Sequence, residues 1–244
     1  MSKSTEPLPD WELVLSSAAQ SPCILPDAVL VGGTAAAIHA KHRFSRDADH
    51  VLTDLRHRFD DVLAQLESVA GWETARVQRP VQILGSLDGI DTGVRQLIRD
   101  EPLETVVVNW RGTRITVPTD GEILRIKGVL ILKRNATRDY LDFVALADHM
   151  RDERVVIALQ SFDRLYPQVS GESSLQQLCV QLANPMPYDL EKTELGEYKN
   201  LDSLDSRWHE WMTVKAACAR LSTVIFDLVC DMENDRSDKY QIHR

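Results

Sequence analysis

The sequence predicts an α+β (α/β) fold, an N-terminal half of strands and helices followed by a helical lobe, and three observations carry that expectation. Short apolar runs stand at residues 28–31, 81–84 and 105–108, too short for helices and spaced as strands are. Apolar residues at 3- and 4-residue spacing lie between the early runs and dominate the chain after residue 118. The composition, 43% hydrophobic and 27% charged over 244 residues, is that of an ordinary globular chain long enough for one large or two small cores.

The elements follow in order. A first helix is expected over about Pro9 to Ala19, where Trp11, Leu13, Val14 and Leu15 are apolar. Strand one is Ala28 to Val31, and a small-residue helix after Thr34 holds Ala35, Ala36, Ala37 and Ile38. Asp47 to Leu52 reads as a second strand. About Arg56 to Ala70 reads as a helix, because Phe59, Val62, Leu63 and Leu66 recur at helical spacing. Strands are then expected at Val81 to Leu84, around Ile90 to Val94, and at Thr105 to Val108. The last closes a hairpin with Arg114 to Val117 through Trp110-Arg111-Gly112-Thr113.

Thr119-Asp120-Gly121-Glu122 fits a capping box, and Ile123, Ile126 and Leu130 continue it as an apolar stripe. A further helix opens near Thr137 and turns Leu141, Val144 and Ala145 inward. Beyond Met150 helices are expected at Val155 to Tyr166, Ser174 to Ala183 and about Arg207 to Met232, with Pro185 and Pro187 interrupting the middle. The organisation expected is a core over residues 1–150 and a helical C-terminal lobe over 151–244, with a soft boundary near 150.

Chemistry concentrates in residues 30–51. An apolar run ends in Gly32-Gly33-Thr34, a short helix follows, and a basic corner leads into Asp47-Ala48-Asp49. Residues two apart in a strand face the same side, so Asp47 and Asp49 project together. Two carboxylates beside a Gly-rich helix start suit a divalent cation carrying a triphosphate, because hard cations take oxygen ligands and a helix N-terminus favours anions. Gly32 and Gly33 let backbone approach phosphate without a Cβ in the way. Each feature alone is common: most Gly pairs are turns and most Asp-x-Asp pairs lie on solvated faces. Their combination and order carry the reading.

The arrangement Gly32-Gly33-Thr34-Ala35, His39, Arg43-Phe44-Ser45 and Asp47-Ala48-Asp49 resembles the DNA-polymerase-β-like nucleotidyltransferase superfamily, and within it the AbiEii/AbiGii toxin family. Downstream, Lys127, Arg134 and Arg138-Asp139-Tyr140-Leu141-Asp142 look like that family's Lys … Arg-Asp-x-x-Asp segment. The resemblance implies a polymerase-β-like core with a mixed sheet, Mg²⁺ as the metal, and a nucleoside triphosphate as substrate. It implies Asp47 and Asp49 as metal ligands, Lys127 as the residue serving the triphosphate, and Asp139, with Asp142 as its substitute, as the carboxylate completing the site. Gly32, Gly33, Thr34, Arg43, Ser45 and Arg46 then fall to nucleotide binding, with Thr34 offering its hydroxyl to a phosphate. Asp88 and Asp91 are the candidates for a third strand carboxylate, although both lie beside glycines that read as a turn.

Residues carry alternative readings of their own. Lys127 lies on the apolar stripe of its helix, where a lysine either snorkels to the surface or reaches into a site that needs a cation. His39 and Arg43 are four apart and could face one another, His39 as a packing or capping residue. Ala48 and His50 thin the buried face of the Asp47–Leu52 strand. Trp208 and Trp211 read as core or interface.

By family analogy the activity is transfer of a nucleoside monophosphate to an RNA acceptor such as a tRNA 3′ end, as the toxin of a type IV toxin–antitoxin or abortive-infection pair with a cognate antitoxin as partner. Two rivals stand beside it: the same chemistry on a protein or small-molecule acceptor, and a degenerate, non-catalytic nucleotide-binding module. The net charge of −9 is unevenly spread. Arg111 to Arg138 holds seven basic residues against two acidic, a net of +5, whereas Gly171 to Asp238 has thirteen acidic against six basic, a net of −7. The basic middle is therefore the segment expected to meet phosphate. No apolar run reaches the roughly 18 residues of a membrane span. Cys23, Cys179, Cys218 and Cys230 have no Cys-x-x-Cys spacing, which points to neither a zinc site nor a disulfide framework. With no apolar signal segment at its start, the chain is expected to be cytoplasmic.

Overall fold

A computed structural model describes residues 11–190 and 206–242. The described backbone packs into two compact units: residues 11–38 with Phe44–Thr119, and His39–Arg43 with the described residues from Asp120 onward.

The first unit is a five-stranded mixed sheet with helices and a separate hairpin. Its elements are α1 (Trp11–Ile24), β1 (Val29–Leu30), α2 (Gly32–Ala40, whose last two residues belong to the second unit), β2 (Asp47–Leu52), α3 (Phe59–Glu67), β3 (Trp72–Gln78), β4 (Gln82–Leu87), β5 (Ile90–Gln96), β6 (Thr105–Trp110) and β7 (Thr113–Pro118). The sheet order is β1-β2-β5-β4-β3, with β2 and β5 parallel and every other pair antiparallel. The mixed sheet is therefore as expected, and β2 has the expected bounds.

Alternation explains the sheet. Along β2 and β4 every second residue is buried, so Ala48, His50 and Leu52 face the core with Ile83, Gly85 and Leu87. One apolar cluster joins Leu52, Ile83 and Val94 to Leu55 and to Phe59, Val62 and Leu66 of α3; another joins Val14 and Ala18 of α1 to Leu30, Ala48, Ile90, Ile115 and Val117. The β6–β7 hairpin turns at Arg111 and Gly112, both at positive φ (48° and 84°), which the Gly at the second position makes inexpensive.

The structure departs from expectation in several places, among them the last helix, which is Trp211–Ile242 and not about Arg207 to Met232. α1 runs to Ile24 instead of ending near Ala19, and its expected start at Pro9 lies outside the described residues. α3 is shorter than residues 56–70, because the chain turns at Ser68 to Gly71 to begin β3. The sequence reading missed β3: Trp72–Gln78 is a largely exposed edge strand with only Trp72 partly buried, so it carries no apolar alternation to detect. The single helix expected over Val155 to Tyr166 is two, broken at Gln160 and Ser161.

The second unit is helical: α4 (Asp120–Arg134), α5 (Thr137–Met150), α6 (Asp152–Leu159), α7 (Phe162–Leu165), α8 (Ser174–Ala183), a 3₁₀ turn at Ser206–His209 and α9 (Trp211–Ile242). α4 starts directly after Thr119, where the capping box places it. Gly128 lets α4 lie against its neighbours: a Cβ there would sit 3.0 Å from Leu178 and 3.1 Å from Phe162. Leu141, Val144 and Ala145 are buried as expected, and Trp208 is buried with them. Trp211 meets Tyr140 edge-on at 6.0 Å, a core contact. Among the described residues no helix is long and apolar enough to cross a membrane.

Candidate functional site

The first unit brings the Gly-Gly-Thr turn and the Asp-x-Asp strand together. Val31 N–H donates to the Asp49 carbonyl at 2.8 Å, which ties the start of α2 to β2. Gly32 has φ +74°, a left-handed conformation that favours glycine, and a Cβ built on it would lie 3.9 Å from Asp49 Oδ2. The nine-residue α2 thus opens beside the Asp49 carboxylate, with the first-turn N–H groups that a helix leaves without intrahelical partners.

Thr34 is fully buried, and its hydroxyl donates to the Asp47 carbonyl. This corrects its expected role, because the hydroxyl braces α2 against β2 and is not presented to a phosphate. Ser45 is likewise buried and donates its Oγ to Asp47 Oδ1 at 2.7 Å, fixing that carboxylate. Arg46 is exposed. Asp47 and Asp49 are both partly exposed and share one face of β2, as predicted.

On the parallel neighbour β5, Asp91, Gly93 and Arg95 stand in register with Asp47, Asp49 and Val51 and therefore share that face. Arg95 Nη1 pairs with Asp49 Oδ2 at 2.7 Å. The sequence reading did not include Arg95; its two-residue step from Gly93 and the β2–β5 register were the missing signal. Asp91 is exposed beside Asp47, whereas Asp88 occupies the β4–β5 turn at φ +52°. Among the described residues no group of three His, Cys, Asp or Glu converges to hold a metal ion.

The residues present fit a divalent cation in a limited sense. Two carboxylates on one partly exposed face, bordered by a glycine, match the way Mg²⁺ is held by one or two carboxylates with water and substrate phosphates supplying the rest. They do not form a closed protein cage.

The second unit gathers the downstream motif into a buried ionic cluster. Lys127 is 1% exposed; its Nζ reaches Asp142 Oδ2 at 2.6 Å and Asp139 Oδ1 at 3.5 Å. It does not snorkel. Arg43 pairs twice with Asp142, Nε to Oδ1 at 2.6 Å and Nη2 to Oδ2 at 3.0 Å. His42 Nε2 lies 2.7 Å from the same Oδ1. Asp139 receives both Nε and Nη2 of Arg134.

One expectation is corrected here. Arg43 is buried and committed to Asp142, so it is not a surface arginine poised for a phosphate. α2 ends at Ala40, Lys41 turns at φ +51°, and His42, absent from the sequence expectations, is a histidine that joins Arg43 at Asp142. Burial alone would raise the Asp142 carboxyl, but the charges of Arg43 and Lys127 and the bonds from His42 and Arg43 outweigh it and hold the group well below the ordinary carboxylate range. Burial pushes His42 down against the opposing pull of Asp142, so it is neutral and donates Nε2–H.

The basic segment is divided. Arg125 and Lys127 are buried, Arg125 with Glu122 at 3.0 Å, Arg134 is held by Asp139, and Arg111 pairs at the surface with Glu12 at 2.6 Å. Arg114, Lys133 and Arg138 are exposed, so only part of the +5 read from sequence is taken up by internal ion pairs.

In structure the chain is similar to the crystal structure of a "putative nucleotidyltransferase" from H. pylori, with TM-score 0.51 and 16% identity over 91% of this chain and 96% of that one. The fold is nucleotidyltransferase-like. At that identity the likeness is one of fold. No family model matches the chain. In sequence it is 29% identical, over 91% of its length, to "Heme uptake protein MmpL11" of Mycobacterium tuberculosis. It is 31% identical, over 56% of its length, to "Mycolic acid-containing lipids exporter MmpL11" of Mycolicibacterium smegmatis. It spans only 23% and 14% of those two proteins.

Proposed function

We propose that this chain is a metal-dependent nucleotidyltransferase of the AbiEii/AbiGii type, moving a nucleoside monophosphate from a nucleoside triphosphate to an acceptor. The observation that carries the reading is the placement of Asp47 and Asp49 on one partly exposed strand face beside the Gly32 turn, in a nucleotidyltransferase-like fold. Asp47 and Asp49 would hold Mg²⁺, which when bound neutralises charge on the reacting phosphates. Ser45 orients Asp47 through its 2.7 Å bond. The backbone N–H groups at Gly32 and Gly33 and the exposed Arg46 bind triphosphate oxygens. By the family pattern Lys127 would serve the triphosphate and Asp139 would be the carboxylate completing the site; both are buried in ion pairs, Lys127 with Asp142 and Asp139 with Arg134, so they enter this reading on the resemblance alone.

The acceptor in the first reading is RNA, such as a tRNA 3′ end, and the biological role is that of a toxin with a cognate antitoxin. A second reading, a protein or small-molecule acceptor, is favoured by the pairing of Arg125, Lys127 and Arg134 with Glu122, Asp142 and Asp139, which reduces the basic surface an RNA would use.

The test is incubation of the full chain with each radiolabelled nucleoside triphosphate, Mg²⁺ and either total RNA or total protein. Label is expected in one pool, and Asp47→Asn or Asp49→Asn is expected to abolish it with the fold intact by circular dichroism. Undiminished labelling by either variant at saturating Mg²⁺ and triphosphate sinks the site assignment.

A further inference from the structure

The face that carries Asp47 and Asp49 is completed on β5 by a cation. Asp91, Gly93 and Arg95 are the β5 residues on that face. Gly93, opposite Asp49, has no side chain to offer, and a Cβ there would lie 2.6 Å from Leu84 Cδ2 and 2.9 Å from the Ile83 carbonyl. Two residues on, Arg95 reaches back to Asp49 Oδ2 at 2.7 Å, with its side chain 40% exposed and that of Asp49 19% exposed. A permanently charged guanidinium thus lies against one of the two carboxylates proposed to bind metal.

We propose that Arg95 is a resident counter-ion that keeps free divalent cations off the Asp47–Asp49 pair and yields Asp49 only to a cation arriving with a triphosphate. The inference rests on the metal-site reading above. A bare divalent ion approaching Asp49 must break a charge-assisted hydrogen bond and then sit beside an arginine that cannot lose its proton. A triphosphate changes the balance, because its oxygens accept the guanidinium as Asp49 releases it. Metal and nucleotide then bind with positive, reciprocal coupling, each strengthening the other by the same factor. The geometry explains why a two-carboxylate face suffices here: the remaining ligands come with the substrate and the arginine guards the face until then.

The test is Mn²⁺ binding to the full chain, read as loss of the free-ion electron paramagnetic resonance signal, with and without a non-hydrolysable nucleoside triphosphate. The wild type is expected to bind Mn²⁺ weakly alone and more tightly with nucleotide. Arg95→Gln keeps much of the stem and removes the charge. It is expected to bind Mn²⁺ alone about two- to fivefold more tightly, the scale of one partly exposed ion pair, and to lose a similar factor of coupling to nucleotide. A companion Asp49→Asn substitution is expected to lose Mn²⁺ binding both in the wild-type background and in combination with Arg95→Gln. If Asp49→Asn abolishes binding but Arg95→Gln leaves the affinity for Mn²⁺ alone unchanged or weaker, the counter-ion role is overturned and the metal site stands. If Asp49→Asn changes nothing in either background, the metal-site reading itself fails and takes the proposal with it.

Discussion

At the scale of single residues, the deciding contacts of the second unit come from far along the chain. Lys127 sits on an apolar stripe, and helical spacing alone left both snorkelling and an inward-facing cation open. What decides is Asp142, fifteen positions on, which no local pattern links to Lys127, together with His42 and Arg43 from the corner after α2. Four charged or polar groups share one carboxylate environment at nearly zero exposure. Removing Lys127 takes a charged hydrogen bond from Asp142, which keeps Arg43 and His42, while Asp139 keeps Arg134. Lys127→Met is therefore expected to lower stability by about 1.5–3 kcal/mol, the value of one charged hydrogen bond, seen as a shifted midpoint in urea. A snorkelling lysine would have given no loss. If Lys127 also serves the triphosphate, nucleotide affinity falls by a further ten- to hundredfold, about the value of one charged hydrogen bond. A variant as stable as wild type contradicts the burial of the ammonium group.

At the scale of elements, β2 was legible to the residue because its alternation is strict, and β3 was illegible because an exposed edge strand has no buried face to mark it. The Gly-Gly-Thr turn and Asp-x-Asp pair were legible for the same reason as β2: both are local. Arg95 was not, because its partnership with Asp49 depends on the parallel β2–β5 register, set between residues forty-four apart in the chain. The buried face of β2 adds a consequence for pH. His50 is buried with Nε2 lacking a hydrogen-bond partner, against a cavity of about 10 Å³ lined in part by Ser21, Leu66, Trp72 and Thr92. Burial lowers its pKa from 6.5 to about 4. The unfolded chain thus binds a proton below pH 6.5 that the folded chain refuses until about pH 4. The stabilising effect of the neutral ring is full above pH 6.5 and declines as pH falls, by up to about 1.4 kcal/mol per pH unit. Urea denaturation between pH 7 and 4.5 is expected to show that slope, and His50→Leu to make it shallower, with His42 supplying the remainder in the same direction. Parallel stability profiles for the two proteins would mean that His50 titrates normally in the fold.

At the scale of the whole molecule, sequence charge and structural charge are different quantities. The segment Arg111 to Arg138 has a net of +5 on paper. In the fold Arg111, Arg125, Lys127 and Arg134 pair with Glu12, Glu122, Asp142 and Asp139, and two of them are buried outright, while Arg114, Lys133 and Arg138 are exposed. Phosphate neutralisation needs cations at the surface, so burial and pairing leave this segment a smaller footprint for RNA than its sequence charge suggests, and a chain of net charge −9 gains little from long-range attraction. The prediction that follows reverses the one sequence charge suggests. Charge reversal at Arg111 and Arg114 together is expected to cost at most about 1 kcal/mol, through the exposed Arg111–Glu12 pair. It is expected to leave the apparent Michaelis constant for RNA, and its dependence on salt, as in the wild type. The measurement is labelling of total RNA across 50–300 mM salt, a range over which phosphate contacts weaken binding by orders of magnitude (about 10³-fold or more for an extensive footprint). A steep fall in RNA labelling by the double variant, relieved at high salt, would show that the hairpin meets the acceptor after all. Equal labelling leaves the basic segment structural and moves the search for the acceptor to proteins and small molecules.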